Sequence, residues 1–194
     1  MYKIITIEDE VRVPPTKFGM DIKDAIKDSL EDQLEGKIKP DIGVFLAVTE
    51  ILDVKEGKII PNDGAIYYPS KLRVLVFNPE DQEVLPGVVV DITEFGAFIR
   101  IGPLDGLVHV SQIIDDRISY DAKNATFVAR KSKKTLKEGD VVRCRIVGVS
   151  LGKAQTKISL TMRQPWLGSM KWIEADKKAL EKKPKAKPKV KTKK

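Results

Sequence analysis

Residues 94–113 read Glu-Phe-Gly-Ala-Phe-Ile-Arg-Ile-Gly-Pro-Leu-Asp-Gly-Leu-Val-His-Val-Ser-Gln-Ile. Two breaks, Glu94-Phe95-Gly96 and Gly102-Pro103-Leu104-Asp105-Gly106, bound apolar runs at Ala97 to Ile101 and Leu107 to Val110. Short β-rich runs punctuated in this way predict a small antiparallel barrel. Upstream, Val88, Val90 and Ile92 alternate and supply a preceding strand. Downstream, Val141 to Val149 alternates apolar residues with Arg143 and Arg145, and Lys157-Ile158-Ser159-Leu160-Thr161 supplies the last strand. The connection from Asp115 to Glu138 is long for such a barrel, and loops of that length are commonly functional or flexible. After Pro165, the apolar groups Trp166-Leu167 and Met170, Trp172 and Ile173 predict a short helix that packs back on the barrel's end.

The aromatic turn carries the chemistry. A flexible single strand of RNA is held by flat rings on which any base stacks and by cations that follow its phosphates. A Phe-Gly-Ala-Phe turn lets Phe95 and Phe98 emerge on one surface, with Gly96 permitting the bend and His109 at the end of the next strand. Arg143, Arg145 and Lys157 add cations from later strands, and the long connection adds Arg117, Tyr120, Lys123, Arg130 and Lys131. Residues 123–157 hold ten basic and two acidic groups, a local charge of +8. Each of these residues also has a structural reading: strand phenylalanines as core, the histidine as a satisfied polar group, the basic run as a solvated loop.

The first 82 residues follow another pattern. Ile5, Ile7, Val11 and Val13 predict a strand ending at Pro14-Pro15, where a proline cannot continue a ladder. Asp21 can cap a following helix, Asp24 favours its positive end, and Ile22, Ala25, Ile26, Leu30 and Leu34 share one face before Gly36 stops it. Residues 42–54 and 71–78 are β-rich with little polar relief, so cover on both faces is expected. Between them, the turn-rich stretch 56–69 reads either as a docking tip or as a hairpin burying its own isoleucines and tyrosines.

Charge separates these parts. The net charge is +7, yet residues 177–194 alone hold ten lysines against one glutamate, or +9, leaving −2 for residues 1–176. Residues 1–82 carry 11 basic and 16 acidic groups, −5, whereas residues 83–176 carry 14 and 11, +3, so the halves face different partners. The lysine tail with Pro184 and Pro188 reads as a disordered polycation. No apolar run approaches ~20 residues, and the start turns acidic where a signal peptide would need its apolar stretch. A cytoplasmic location is expected. One histidine, one cysteine and no Gly-rich phosphate loop predict no catalytic centre, no metal and no cofactor.

The words Phe95-Gly96-Ala97-Phe98-Ile99, Gly106-Leu107-Val108-His109-Val110-Ser111-Gln112-Ile113 and Ile158-Ser159-Leu160-Thr161 resemble the S1 RNA-binding domain. The resemblance implies RNA at the two phenylalanines and the histidine, with Lys157 at the basic place and Ser150 near the place of an expected Asp. Val11-Arg12-Val13-Pro14-Pro15, Phe18-Gly19, residues 59–65, residues 115–121 and Thr161-Met162-Arg163-Gln164-Pro165 resemble the large stalk subunits of archaeal RNA polymerases, called E-prime. The fold that follows is an α+β, truncated ribonucleoprotein-like tip domain over residues 1–82, then an all-β, five-stranded S1/OB barrel over 83–173. A short C-terminal helix and a disordered Lys-rich tail over 174–194 complete it.

The same resemblance implies a non-catalytic protein that pairs with the smaller, F-type stalk subunit and holds nascent single-stranded RNA. Docking to the polymerase core near the clamp falls to Pro14, Pro15, Phe18, Gly19, Ile60, Pro61, Asp63, Gly64 and Tyr67. The rival readings are a stand-alone S1 protein of translation or RNA decay, sharing residues 84–162, and a scaffold whose RNA surface is vestigial.

Overall fold

A computed structural model describes residues 1–152 and 156–181. The chain forms two compact units, Met1–Asp81 with the described residues between Gly148 and Ile158, and Gln82–Val147 with the described residues from Ser159 onward.

In the first unit, β1 (Tyr2–Val13) leads through a 3-10 turn at Pro15–Lys17 into α1 (Ile22–Leu34). Then come β2 (Ile38–Lys39), β3 (Gly43–Val54), β4 (Lys58–Ile59) and β5 (Ile66–Phe77). The antiparallel sheet has the order β1-β5-β3-β2, with β4 on β5. The Asp21 carboxylate accepts a hydrogen bond from the Lys23 N–H and caps α1 as its position demands. The helix buries Ala25, Ile26, Leu30 and Leu34 against Val11, Val13, Phe45, Leu72 and Val74. Each of the larger side chains among them contributes about 1.5–3 kcal/mol when fully buried. Ile22, expected on that face, is exposed in the first turn. Cover on both faces is confined to the Val44, Phe45 and Phe77 end of the sheet, while β3 beyond Val48 leaves Thr49, Glu50, Leu52 and Asp53 exposed. A side chain at Gly43 would stand 2.3 Å from the Phe77 carbonyl oxygen, which fixes glycine at this crossing.

In the second unit, β6 (Val84–Thr93), β7 (Gly96–Ile101) and β8 (Leu104–His109) form a meander that ends in a 3-10 turn at Val110–Gln112. A separate small sheet follows: β9 (Ile118–Asp121), β10 (Thr126–Ala129) and β11 (Thr135–Lys137). The chain continues through β12 (Val141–Leu151), β13 (Thr156–Thr161), β14 (Gly168–Ser169) and α2 (Met170–Glu181). Pairing runs β13-β8-β7-β6-β12 and closes through β12–β13, giving the five-stranded barrel, with β14 added on β12. Val89, Ile99, Ile101, Val108, Val142, Cys144, Ile146 and Leu160 fill it.

Four features of this second unit depart from the expectations. A register shift between Val89 and Asp91 turns Val89 and Ile92 inward and leaves Val88 exposed, since a bulge inserts one residue against the partner strand. The long connection is an ordered antiparallel sheet whose Phe127 is buried, not an irregular loop. The boundary placed at residue 174 falls inside α2, which stays helical to Glu181 although Glu174 to Ala179 are exposed. Trp172 and Ile173 pack as expected, whereas Trp166 is 48% exposed. The lysine tail expected beyond these residues lies outside the described ones from residue 182 on.

Candidate nucleic-acid interface

The register places the aromatic site. Thr93 pairs with Gly96, so Glu94 and Phe95 form the two-residue turn between β6 and β7. Ala97, Ile99 and Ile101 point into the barrel, which sends Phe98 outward beside Leu107 on β8. Gly96 pairs with His109, so the imidazole lies on the same outer face. The Phe95 and Phe98 rings stand edge to face, 6.1 Å between centroids with planes at 89°, and Phe95 is 48% exposed. Gly96 has an ordinary negative φ; its necessity comes from a close approach, since a Cβ there would lie 2.3 Å from the Val108 carbonyl oxygen.

His109 caps the 3-10 turn that follows. Its Nδ1 accepts the Ser111 N–H at 3.3 Å and lies 2.9 Å from the Ser111 hydroxyl. An N–H donated to Nδ1 leaves the ring proton of neutral histidine on Nε2, facing out as a donor. Tyr120 reaches the same end of the barrel: its hydroxyl donates to the Ile92 carbonyl at 3.4 Å and its ring lies 5.6 Å from buried Phe127. Phe95, Phe98, His109 and Tyr120 are therefore grouped.

The cations predicted with them are dispersed. Arg143 and Arg145 lie on β12 beside Pro86 and Val84, at the start of β6 instead of its aromatic end. Arg145 opens into a groove of about 480 Å³ with Gln112, Thr161 and Arg163. Arg117 and Lys131 line a neighbouring groove with Ser111 and Arg163. The Asp116 carboxylate accepts the N–H groups of Ser132, Lys131 and Arg117, Ser132 foremost, which holds it below the usual carboxylate range and fixes this loop. Arg130 contacts the Ser119 hydroxyl at 3.3 Å, Lys123 sits in the turn joining β9 to β10, and Lys157 is exposed on β13. Composition signals the charge but not its placement, because the strands of the inserted sheet are too short to show a period.

In the first unit the two expected docking loops meet. Val13 pairs with Ile66, and a Cβ on Gly64 would touch Pro15 at 3.5 Å. Asp63 is the knot of this end: Arg12 donates to both its oxygens at 3.0 and 2.8 Å, Tyr67 at 2.7 Å and the Ala65 N–H at 3.2 Å. These donors, Arg12 foremost, hold the Asp63 carboxyl well below the usual range. Asp63 and Tyr67 therefore shape the loop, while Phe18, Ile59 and Ile60 are exposed and Pro14 is half-buried. The stretch 56–69 does form a hairpin, β4 on β5, but its isoleucines are not its core: Ile59 is 74% exposed. Arg12 was not among the predicted site residues; its partner lies 51 residues away, beyond any local signal.

Among the described residues no cluster of histidine, cysteine or carboxylate side chains suits a metal ion. Burial pushes the Cys144 thiol up to about 12, making it a core residue and not a nucleophile.

Comparison with known proteins matches this architecture segment by segment. Residues 8–64 match the SHS2 domain found in the N terminus of Rpb7p/Rpc25p/MJ0397, and residues 78–163 match the S1 RNA binding domain. The DNA-directed RNA polymerase subunit Rpo7 of Saccharolobus shibatae is 38% identical over 180 residues, 92% of this chain and 100% of that relative. The DNA-directed RNA polymerase II subunit rpb7 of Dictyostelium discoideum is 25% identical over 87% of this chain and 98% of its own. Ribonuclease R of Buchnera aphidicola is 34% identical over 82 residues only, 41% of this chain and 11% of that relative. With an SHS2 domain joined to an S1 domain and end-to-end likeness to Rpo7, the chain belongs to the Rpo7/Rpb7 family of DNA-directed RNA polymerase subunits.

Proposed function

We propose that this chain is the larger of the two stalk proteins of a DNA-directed RNA polymerase, paired with the smaller one. It performs no bond chemistry. Residues 1–82 dock to the polymerase core near the clamp through the loops at 14–19 and 59–67, and the barrel holds nascent single-stranded RNA on Phe95, Phe98 and His109. In that position it supports open-complex formation, processivity and termination in the cytoplasm. One observation carries the reading: the likeness to Rpo7 spans both domains of the chain, whereas the likeness to ribonuclease R is confined to 82 residues.

Physical features agree with this division of labour. The exposed Phe18, Met20 and Ile60 beside the fixed Arg12–Asp63–Tyr67 knot present apolar groups on a rigid support, as a docking surface requires. Paired rings next to an outward donor suit sequence-tolerant stacking, worth about 1–3 kcal/mol per base. Reconstitution of purified core enzyme with the smaller stalk protein and this chain tests the docking role. Phe18→Ala with Ile60→Ala is expected to weaken core association at least tenfold while the two stalk proteins stay paired. Undiminished association would return the chain to the stand-alone S1 reading.

A further inference from the structure

The segment after β13 holds an exposed tryptophan that core packing does not explain. Trp166 has φ 68°, the left-handed region that a bulky side chain occupies only at a cost, and its ring is 48% exposed. Neighbouring Trp172 behaves as tryptophan usually does: it is buried, and its indole N–H donates to the Thr135 carbonyl at 3.1 Å. The turn closed by the Leu167 N–H on the Gln164 carbonyl at 3.2 Å, with Pro165 at its second position, accounts for the positive φ at its third, but not for a large ring presented to solvent there.

The surroundings of Trp166 indicate what the ring meets. It lines a groove of about 500 Å³ with Arg163, Lys131 and Lys134. Arg163 also lines the adjoining grooves, one containing Arg145, Gln112 and Thr161, the other Ser111 and Arg117. Three carboxylates border them: Asp116 is held by backbone N–H groups, while Asp115 pairs with Arg163 and Asp176 with Lys134 at 2.9 Å, so a phosphate has to compete with these two for their cations. Arg145 lines the groove with its Nε–H buried and without a hydrogen-bond partner in the folded chain. Rings interleaved with cations and amides are the composition of a single-strand track.

The track is continuous with the aromatic face. His109 binds Ser111 through Nδ1, and Ser111 borders the groove containing Arg117, Lys131 and Arg163. Gln112, the next residue, accepts the Met162 N–H at 2.8 Å and the Thr161 hydroxyl at 2.9 Å, which ties the turn to the strand leading to Arg163 and Trp166.

We infer that Trp166 is a second stacking platform, and that the groove centred on Arg163 carries the sugar-phosphate chain of single-stranded RNA leaving the Phe95–Phe98–His109 face. This rests on the RNA reading of the barrel for its ligand class, and it lengthens the bound segment from the few nucleotides that one face covers to about 10.

The test measures affinity of the full chain for oligouridylates of about 4 and about 12 nucleotides. Trp166→Gly, which suits the positive φ, is expected to keep the melting temperature or raise it. It should leave the short oligomer's affinity unchanged and reduce the long oligomer's five- to tenfold, with Trp166→Phe restoring most of that loss. Arg163→Gln is expected to lower the salt slope for the long oligomer by about 1. An unchanged ratio of long to short affinity in Trp166→Gly overturns the inference. So does unchanged RNA affinity combined with weakened association with the smaller stalk protein or core enzyme, which would make Trp166 a protein contact. The aromatic face is scored separately, by the short oligomer and Phe95→Ala with Phe98→Ala.

Discussion

Gly96 shows how one missing side chain positions the candidate site. Its backbone passes so near the Val108 carbonyl that a methyl group would sit at 2.3 Å, forcing β7 and β8 apart where Phe98 and His109 project. Gly96→Ala is therefore expected to cost about 1–3 kcal/mol, seen as a lower midpoint in urea unfolding. Asp63 makes a prediction of opposite origin, in charge. Its carboxyl is held below the usual range by Arg12 and Tyr67, so the unfolded chain takes up a proton near pH 4 that the folded chain refuses. The stabilisation is full above pH ~4 and fades as pH falls from there toward the folded value. Asp63→Asn should flatten that acid limb when stability is measured by unfolding between pH 6 and 2.5; an unaltered limb would remove Asp63 from the account. The outward placement of Phe95 and Phe98 was legible because a glycine turn within an alternating pattern announces side chains that leave the barrel. Trp166 was not, since an apolar ring reads as core in any sequence and its backbone angle leaves no trace in composition.

At the scale of elements, α1 was legible from its cap and its 3.6-residue period, with one error at Ile22 in the first turn. The sheet of β9, β10 and β11 was not: strands of three or four residues bounded by charged residues and alanines carry too short a pattern to separate from loop. Its order depends on Phe127, packed against Tyr120 and paired with Leu136. Phe127→Ala should cost about 3–5 kcal/mol in local stability and abolish hydrogen-exchange protection from 118 to 137. Barrel amides at 97–108 are expected to keep theirs; simultaneous loss would mean that the inserted sheet and the barrel fold as one. The bulge in β6 was hidden by its three successive valines, which fit either facing, and only pairing with β7 selects Val89 as the buried one.

For the whole molecule, the acidic first 82 residues and the basic remainder already pointed to unlike partners, and the domain order agrees with that of the Rpo7/Rpb7 family. The grouping of the described residues between Gly148 and Ile158 with the first unit had no signal, because it depends on contacts made between residues far apart in the chain. Whether RNA occupies the barrel face while the N-terminal unit engages protein is the decisive question for this molecule. The most direct measurement is single-stranded RNA affinity of the two-protein stalk complex across a salt series, with and without Phe95→Ala, Phe98→Ala and His109→Ala together. A loss of about 10- to 100-fold, with the complex intact and the salt slope nearly unchanged, is the expected result. Affinity equal to that of the unaltered complex would contradict RNA binding at this face and leave the barrel as scaffold.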